Sequence, residues 1–339
     1  MQYKLFGKSG LRVSELCLGT MTFGTEWGTG TDYAGSKAIF DAFVEAGGNF
    51  FDTANRYTEG TSERWLGEFI AHDRDAFVIA TKYSLYERSD TPTGSGNSRS
   101  NLRRTVEKSL QRLKTDYIDL LWLHAWDFTT PVEEVMRSLD DLITAGKVHY
   151  IGISDTPAWI VARANTLSEL RGWAAFVGLQ VEYSLIERTP ERELLPMAQA
   201  FGMSVTPWSP IGAGLLTGKY NNGIPEAARL SAQSKKLTPK NLETARLVGQ
   251  IAQELGIPPV QVALRWVMAQ SPSMIPIVGA RRVDQLRESL GVCEQDLDPE
   301  HLQQLNAATA IPLGFPHEFL ASDHVRKLTF GDFYDKIQY

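Results

Sequence analysis

Cysteine is scarce in this chain: its 339 residues hold two, Cys17 and Cys293, and these are not at metal-ligand spacing. So few thiols leave no disulfide framework and suit a reducing compartment. The six histidines form no HExxH or other paired-ligand pattern, so no metal is expected. Like charges never run to five in succession and the net charge is −6, which excludes a nucleic-acid footprint or a polybasic membrane patch. The longest apolar runs are too short to span a bilayer. Met1-Gln2-Tyr3-Lys4-Leu5-Phe6 also lacks the basic-then-apolar order of a secretory leader. A cytoplasmic monomer or small homo-oligomer is expected, with no membrane or nucleic-acid partner.

What the chain does have is a repeated unit. Short β-branched or aromatic runs end near Gly19, Asp52, Lys82, His124, Ser154, Gln180, Trp208 and Gly279, and helical patterns separate them. Runs that are apolar throughout suit parallel strands buried on both faces. Ile39, Ala42, Phe43 and Ala46 fall at helical spacing, with Ser36 placed to cap and Gly47-Gly48 to stop. Leu102, Val106, Leu110 and Leu113 repeat the spacing, as do Val132, Val135, Leu139 and Leu142. Eight such units predict one (β/α)8 TIM barrel, class α/β, over residues 1–339. An amino-terminal hairpin, extra helices at about 239–255 and 259–270 before the eighth strand, a helix at 299–308 and a tail from 309 complete the expectation. The tail carries Phe315, Phe319, Phe330, Phe333, Tyr334 and Tyr339, too many aromatics for a disordered end.

Barrel enzymes place their chemistry at the carboxyl ends of the strands. Here those ends are Asp52, Lys82, His124, Ser154-Asp155, Gln180 and Ser209. One lysine there is ordinarily a snorkelling surface side chain, and one histidine a packing residue. Polar residues ending four successive strands, with Tyr57 just after the second, point to a site.

The stretch Asn49-Phe50-Phe51-Asp52-Thr53-Ala54-Asn55-Arg56-Tyr57 resembles the aldo-keto reductase signature. So do Ala80-Thr81-Lys82, Leu121-Trp122-Leu123-His124, Gly152-Ile153-Ser154, Trp208-Ser209-Pro210 and Leu215-Leu216-Thr217-Gly218-Lys219. The resemblance spans about residues 1 to 309 and leans toward the bacterial and fungal aryl-alcohol-dehydrogenase-like members. It implies NADPH-dependent reduction of aldehydes and ketones by a tetrad of Asp52, Tyr57, Lys82 and His124. Tyr57 is the implied acid. A phenol of pKa about 10 gives up its proton reluctantly at neutral pH, and a lysine beside it lowers that value. Asp52 would keep Lys82 charged, and His124 would hydrogen-bond the carbonyl oxygen.

The resemblance also implies a cofactor site. Ser154, Asp155 and Gln180 would hold the nicotinamide carboxamide and Trp208 would stack under the ring, with Gly19, Thr20 and Met21 nearby. Ser209, Pro210, Ile211, Gly212, Leu215, Gly218 and Lys219 would cradle the pyrophosphate. Gly279, Arg281, Gln285, Glu288 and Ser289 would take the adenosine end. Asp155 stands where the family usually has Asn, Gln285 where many members have Arg, and Ser289 where Asn is common. Arg281 remains to meet a 2′-phosphate, so NADPH is expected ahead of NADH. Gly212-Ala213-Gly214 with Gly218 superficially resembles a dinucleotide fingerprint, but the third glycine is one residue too far.

Phe23, Trp27, Tyr86, Trp126, Phe128, Tyr183, Phe315 and Phe319 fall in loops expected to ring the mouth. They suggest an aryl or bulky carbonyl as substrate, with Trp27 and Trp126 as the first contacts. Two rivals share the scaffold. A barrel glycosidase would conscript Asp52 and Glu182 but leave Tyr57, Lys82 and His124 idle. A redox-sensing or regulatory subunit would keep the cofactor site and turn over slowly.

Overall fold

The computed structural model describes residues 1–225 and 229–337. A short hairpin, β1 (Tyr3–Leu5) and β2 (Arg12–Ser14), comes first. Parallel strands and helices then alternate: β3 (Cys17–Gly19), α1 (Tyr33–Glu45), β4 (Phe50–Asp52), α2 (Thr61–Ile70), β5 (Val78–Tyr83) and α3 (Arg99–Leu113). They continue through β6 (Ile118–Leu123), α4 (Val132–Thr144), β7 (Val148–Ser154), α5 (Ala158–Arg171), β8 (Phe176–Glu182), α6 (Leu194–Phe201) and β9 (Ser204–Trp208). After the extra helices α7 (Pro239–Leu255) and α8 (Pro259–Ala269) come β10 (Ile277–Val278) and α9 (Val283–Leu290). The chain ends with α10 (Pro299–Thr309), α11 (His317–Ala321) and α12 (Asp323–Phe330).

The eight barrel strands follow one another in the order β10-β3-β4-β5-β6-β7-β8-β9. Between β9 and β10 a single bridge, Val205 to Met274, closes the ring. Every strand expected from the sequence is present. The cap of α1 differs: Asp32, not Ser36, accepts from the Gly35 amide at 2.8 Å, and Ser36 lies buried inside the helix. Asp32 caps as well as a serine would and lies one turn earlier, so the helix begins there.

Strand parity decides what enters the lumen, because successive side chains point to opposite faces. Cys17, Phe50, Val78, Ala80, Leu120, Trp122 and Ile275 form one buried cluster, joined by Phe6 and Val13 from the hairpin. Phe6 meets the rings of Phe50 and Trp122 edge-on at 5.6 and 6.1 Å, so the hairpin plugs the amino-terminal end of the barrel. The opposite parity (Leu18, Phe51, Ile79, Leu121, Leu123) packs outward against the helices in the main core. Trp122 fits the lumen because Gly152 and Gly178 face it. A Cβ on Gly152 would stand 2.3 Å from its ring, and one on Gly178 3.0 Å from it. Two residues up each strand, the same parity sends Asp52, Lys82, His124, Ser154 and Gln180 toward the mouth above this apolar floor.

The tail is helical, as α11 and α12, but several of its aromatics stay at the surface. Phe315, Phe319 and Phe333 are largely exposed. Phe315 pairs with Phe319, and Phe330 with Tyr334, rather than with the barrel. The tail is tied down by polar contacts, Arg192 to the Pro312 carbonyl and His317 to Glu193. Tyr339 lies outside the described residues.

Candidate active site

Lys82 is fully buried, and a lone ammonium there would be strongly disfavoured. It is not alone. Its Nζ donates to Asp52 Oδ2 at 2.5 Å, to the Thr53 carbonyl at 2.8 Å and to the Tyr57 hydroxyl at 3.0 Å. Gln180 Nε2 donates to the other Asp52 oxygen at 2.9 Å. Burial works against the charge on Lys82, but Asp52 and Tyr57 more than compensate and hold its pKa above the usual lysine value. For Tyr57 the balance tips the other way. Burial raises its pKa and Lys82 pulls it down, with burial the larger effect. The expected influence of Lys82 is therefore present but outweighed, and the phenol keeps its proton.

His124 completes the group, its ring edge-on to Tyr57 with centroids 6.2 Å apart. Burial, reinforced by the nearby Lys82 charge, lowers its pKa to about 3, so it stands as a neutral imidazole at physiological pH. Its Nδ1 is buried without a hydrogen-bond partner. A neutral imidazole carries one N–H, which can donate to a substrate oxygen without competing for Tyr57's proton.

The adjoining wall comes from β7, β8 and β9. Asp155 follows Ser154 at a left-handed turn (φ 38°). Burial pushes its carboxyl up, while the Trp208 and Ser154 side chains pull it back down in part. A carboxyl, a hydroxyl, an amide and an indole together supply both acceptors and donors, as an aromatic carboxamide requires, so these residues fit a nicotinamide. Farther out, Arg281 donates its backbone N–H to Gln285 Oε1 at 3.1 Å.

Other expected contacts are already engaged. Thr20 donates its hydroxyl to the Asp52 carbonyl, and Ser289 to the Gln285 carbonyl of its own helix. Leu215 is a core residue. In the Ser209–Gly218 loop the amides of Gly212, Ala213, Gly214, Leu216 and Gly218 all donate within the loop. Lys219 follows this loop, its ammonium over the Tyr220 ring. Phe23 and Tyr183, expected at the rim, are buried in the outer core, Tyr183 against Trp266. Trp27, Tyr86 and Phe128 are exposed, whereas Trp126 is partly buried against the core. Glu182 is ion-paired with Lys236, and Asp52 is held by Lys82 and Gln180, so neither carboxylate is poised for glycoside chemistry. Among the described residues no group of three or more His, Cys, Asp or Glu is placed to hold a metal, and no helix is long and apolar enough to cross a membrane.

Three participants carry no sign in the sequence. The Thr53 carbonyl bonds Lys82, Lys236 reaches Glu182 from a stretch without pattern, and Glu59 joins Trp27 to Arg56.

Residues 15–310 match the profile of the Aldo/keto reductase family. The chain belongs to that family. This aldo-keto reductase is 40% identical to a norsolorinic acid reductase of Aspergillus flavus, over 93% of its own length and 83% of the relative's. It is 38% identical to an aryl-alcohol dehydrogenase [NADP(+)] of Phanerodontia chrysosporium, over 91% and 86%. Reduction of carbonyl compounds is thus the chemistry of its family, and its members use nicotinamide cofactors.

Proposed function

We propose that the protein is an NADPH-dependent reductase of aryl or bulky apolar aldehydes and ketones, with Tyr57 as proton donor. The observation that carries the proposal is the line Asp52–Lys82–Tyr57, with contacts of 2.5 and 3.0 Å. The cofactor, when bound, supplies the hydride. This chain's residues do the rest. Ser154, Asp155, Gln180 and Trp208 orient the nicotinamide, and Lys219 and Arg281 meet the phosphates. His124 donates to the carbonyl oxygen, fixing it near Tyr57 as charge develops on it. Tyr57 then transfers its proton to that oxygen. The fixed charge of Lys82 beside the phenol offsets part of the burial effect and stabilises the phenolate left behind as the proton departs. The aryl preference is supported by the exposed Trp27 and Tyr86 at the mouth and by the names of the two relatives.

The test is a titration with NADPH and NADH, followed by a panel of aldehydes read at the reduced nicotinamide absorbance band. Saturable NADPH oxidation by aryl aldehydes, lost in Tyr57→Phe without loss of NADPH binding, is the expected result. Tight binding of NADPH with no turnover on any aldehyde would favour a regulatory role on the same scaffold.

A further inference from the structure

The chain turns sharply just past Tyr57. Thr58 and Glu59 both have left-handed backbone, φ 46° and 53°, and neither is glycine. Two successive residues with a Cβ rarely adopt that conformation, and strain of this kind gathers where geometry serves a function. What holds the turn can be read directly. Thr58 donates its hydroxyl to the Phe23 carbonyl at 2.6 Å. The Glu59 carboxylate folds back and binds on two sides. Its Oε1 accepts from Trp27 Nε1 at 3.2 Å and from Arg56 Nη2 at 2.8 Å, and its Oε2 accepts from Arg56 Nη1 at 2.5 Å. The Arg56 guanidinium in turn lies 4.1 Å from the centre of the Tyr86 ring and donates to its hydroxyl at 2.9 Å.

One carboxylate therefore ties together three loops, those after β3, β4 and β5. The consequence falls on Trp27, whose indole stands edge-on to Tyr57 with centroids 6.3 Å apart while its surface is 41% exposed. An exposed indole without a fixed partner samples several rotamers, and an exposed ion pair adds little to stability. The Glu59 network has its effect elsewhere: it holds an aromatic wall in one place beside the proton donor. The Trp27 bond and the Arg56 pair together keep the Glu59 carboxyl below the ordinary glutamate range, so the clamp is charged at neutral pH.

We infer that Glu59 is a specificity-determining positioning residue, which fixes Trp27 against Tyr57 so that the site selects flat aryl carbonyls over small alkyl ones. A planar substrate gains from a wall already in place, because the indole then loses little freedom on binding. A short alkyl aldehyde offers that wall little apolar surface. This inference rests on the carbonyl-reductase reading of the site, and the test separates the two.

KM and kcat are measured for naphthaldehyde and for propanal in wild type, Glu59→Ala, Glu59→Gln, Trp27→Ala and the Glu59→Ala/Trp27→Ala double variant. Glu59→Ala should raise KM for naphthaldehyde about tenfold, the scale of one aromatic contact, and leave kcat on propanal within about twofold. Glu59→Gln keeps an oxygen for Trp27 and should recover much of the loss. In the Trp27→Ala background, removing Glu59 should add little. Additive losses, or an equal fall in kcat on both aldehydes, would overturn the inference. A second readout does not need turnover. In fluorotryptophan-labelled protein the Trp27 fluorine resonance, identified by its absence in Trp27→Phe, should move and broaden in Glu59→Ala. An unchanged resonance overturns the clamp. A wild type that reduces neither aldehyde but shows the changed resonance would overturn the enzymatic reading and leave the clamp standing.

Discussion

Gln180 donates its side-chain amide to Asp52 Oδ1 at 2.9 Å, on the oxygen opposite the one that Lys82 occupies. The carboxylate is thus held from two strands at once, and its bond to Lys82 keeps a single direction. A residue expected to serve the cofactor also stiffens the line Asp52–Lys82–Tyr57.

Gln180→Glu replaces that donor with a carboxylate facing another carboxylate. At about pH 8 the variant should lose roughly 1–3 kcal/mol of stability, the range for an unmet buried partner. At about pH 5 the introduced carboxyl, its pKa raised by its neighbour, is protonated and can donate again, so much of the loss should return. Urea unfolding at the two pH values checks this. A deficit independent of pH would show that the amide of Gln180 does not meet Asp52.

His124 gives a pH prediction with a definite sign. Its pKa is about 3 in the folded protein and about 6.5 in the unfolded chain. Between those values the unfolded chain binds a proton that the folded one refuses. The stability associated with neutral His124 is complete above about pH 6.5 and drains away as the pH falls toward 3, by at most about 1.4 kcal/mol per unit. In His124→Gln that part of the acid slope should vanish. Urea midpoints that fall in parallel for the two proteins would mean that His124 titrates normally.

Behind the site, Arg112 binds Glu63 at 2.6 Å and Glu87 at 2.9 Å. Glu63 is fully buried and also accepts from Thr81, the neighbour of Lys82 on β5. Arg112→Met leaves Glu63 without a counter-charge and should cost about 3–5 kcal/mol in urea unfolding. Adding Glu63→Gln should restore part of that, since the buried group is then neutral. No recovery would place the effect in lost packing by the arginine stem.

The proposed preference for NADPH rests on Arg281. Arg281→Ala should weaken NADPH binding by roughly 1–3 kcal/mol, the range for a charge-assisted hydrogen bond, and scarcely change NADH. Fluorescence titration with both cofactors decides it. Equal losses would make Arg281 structural.

The barrel was legible because parallel strands and amphipathic helices write their periods into the sequence, and Asp52, Lys82 and His124 because parity carries them to the mouth, with Tyr57 following in the turn after β4. The same parity explains the misplaced aromatic Tyr183: it lies three residues beyond Gln180 on the same strand path and therefore faces the helices. Glu59 was hidden for a different reason. Left-handed backbone at a threonine and a glutamate has no compositional sign, and only the folded turn brings the carboxylate over Trp27. Glu182 and Lys236 are 54 residues apart, and no local pattern announces that they meet.

The seam between β9 and β10 is thin. Val205 donates to the Ser273 carbonyl at 3.0 Å and accepts from Ile275 at 2.8 Å, whereas β8 and β9 register over five residue pairs. A ring closed by so little opens there first, and amide exchange should be fastest along 273–278. The proposed cofactor contacts lie on both sides of the gap, Trp208 and Lys219 before it and Arg281 after it. A dinucleotide spanning them would act as a staple, slowing exchange at a place it does not touch and lending the barrel a stability that rises with its own concentration.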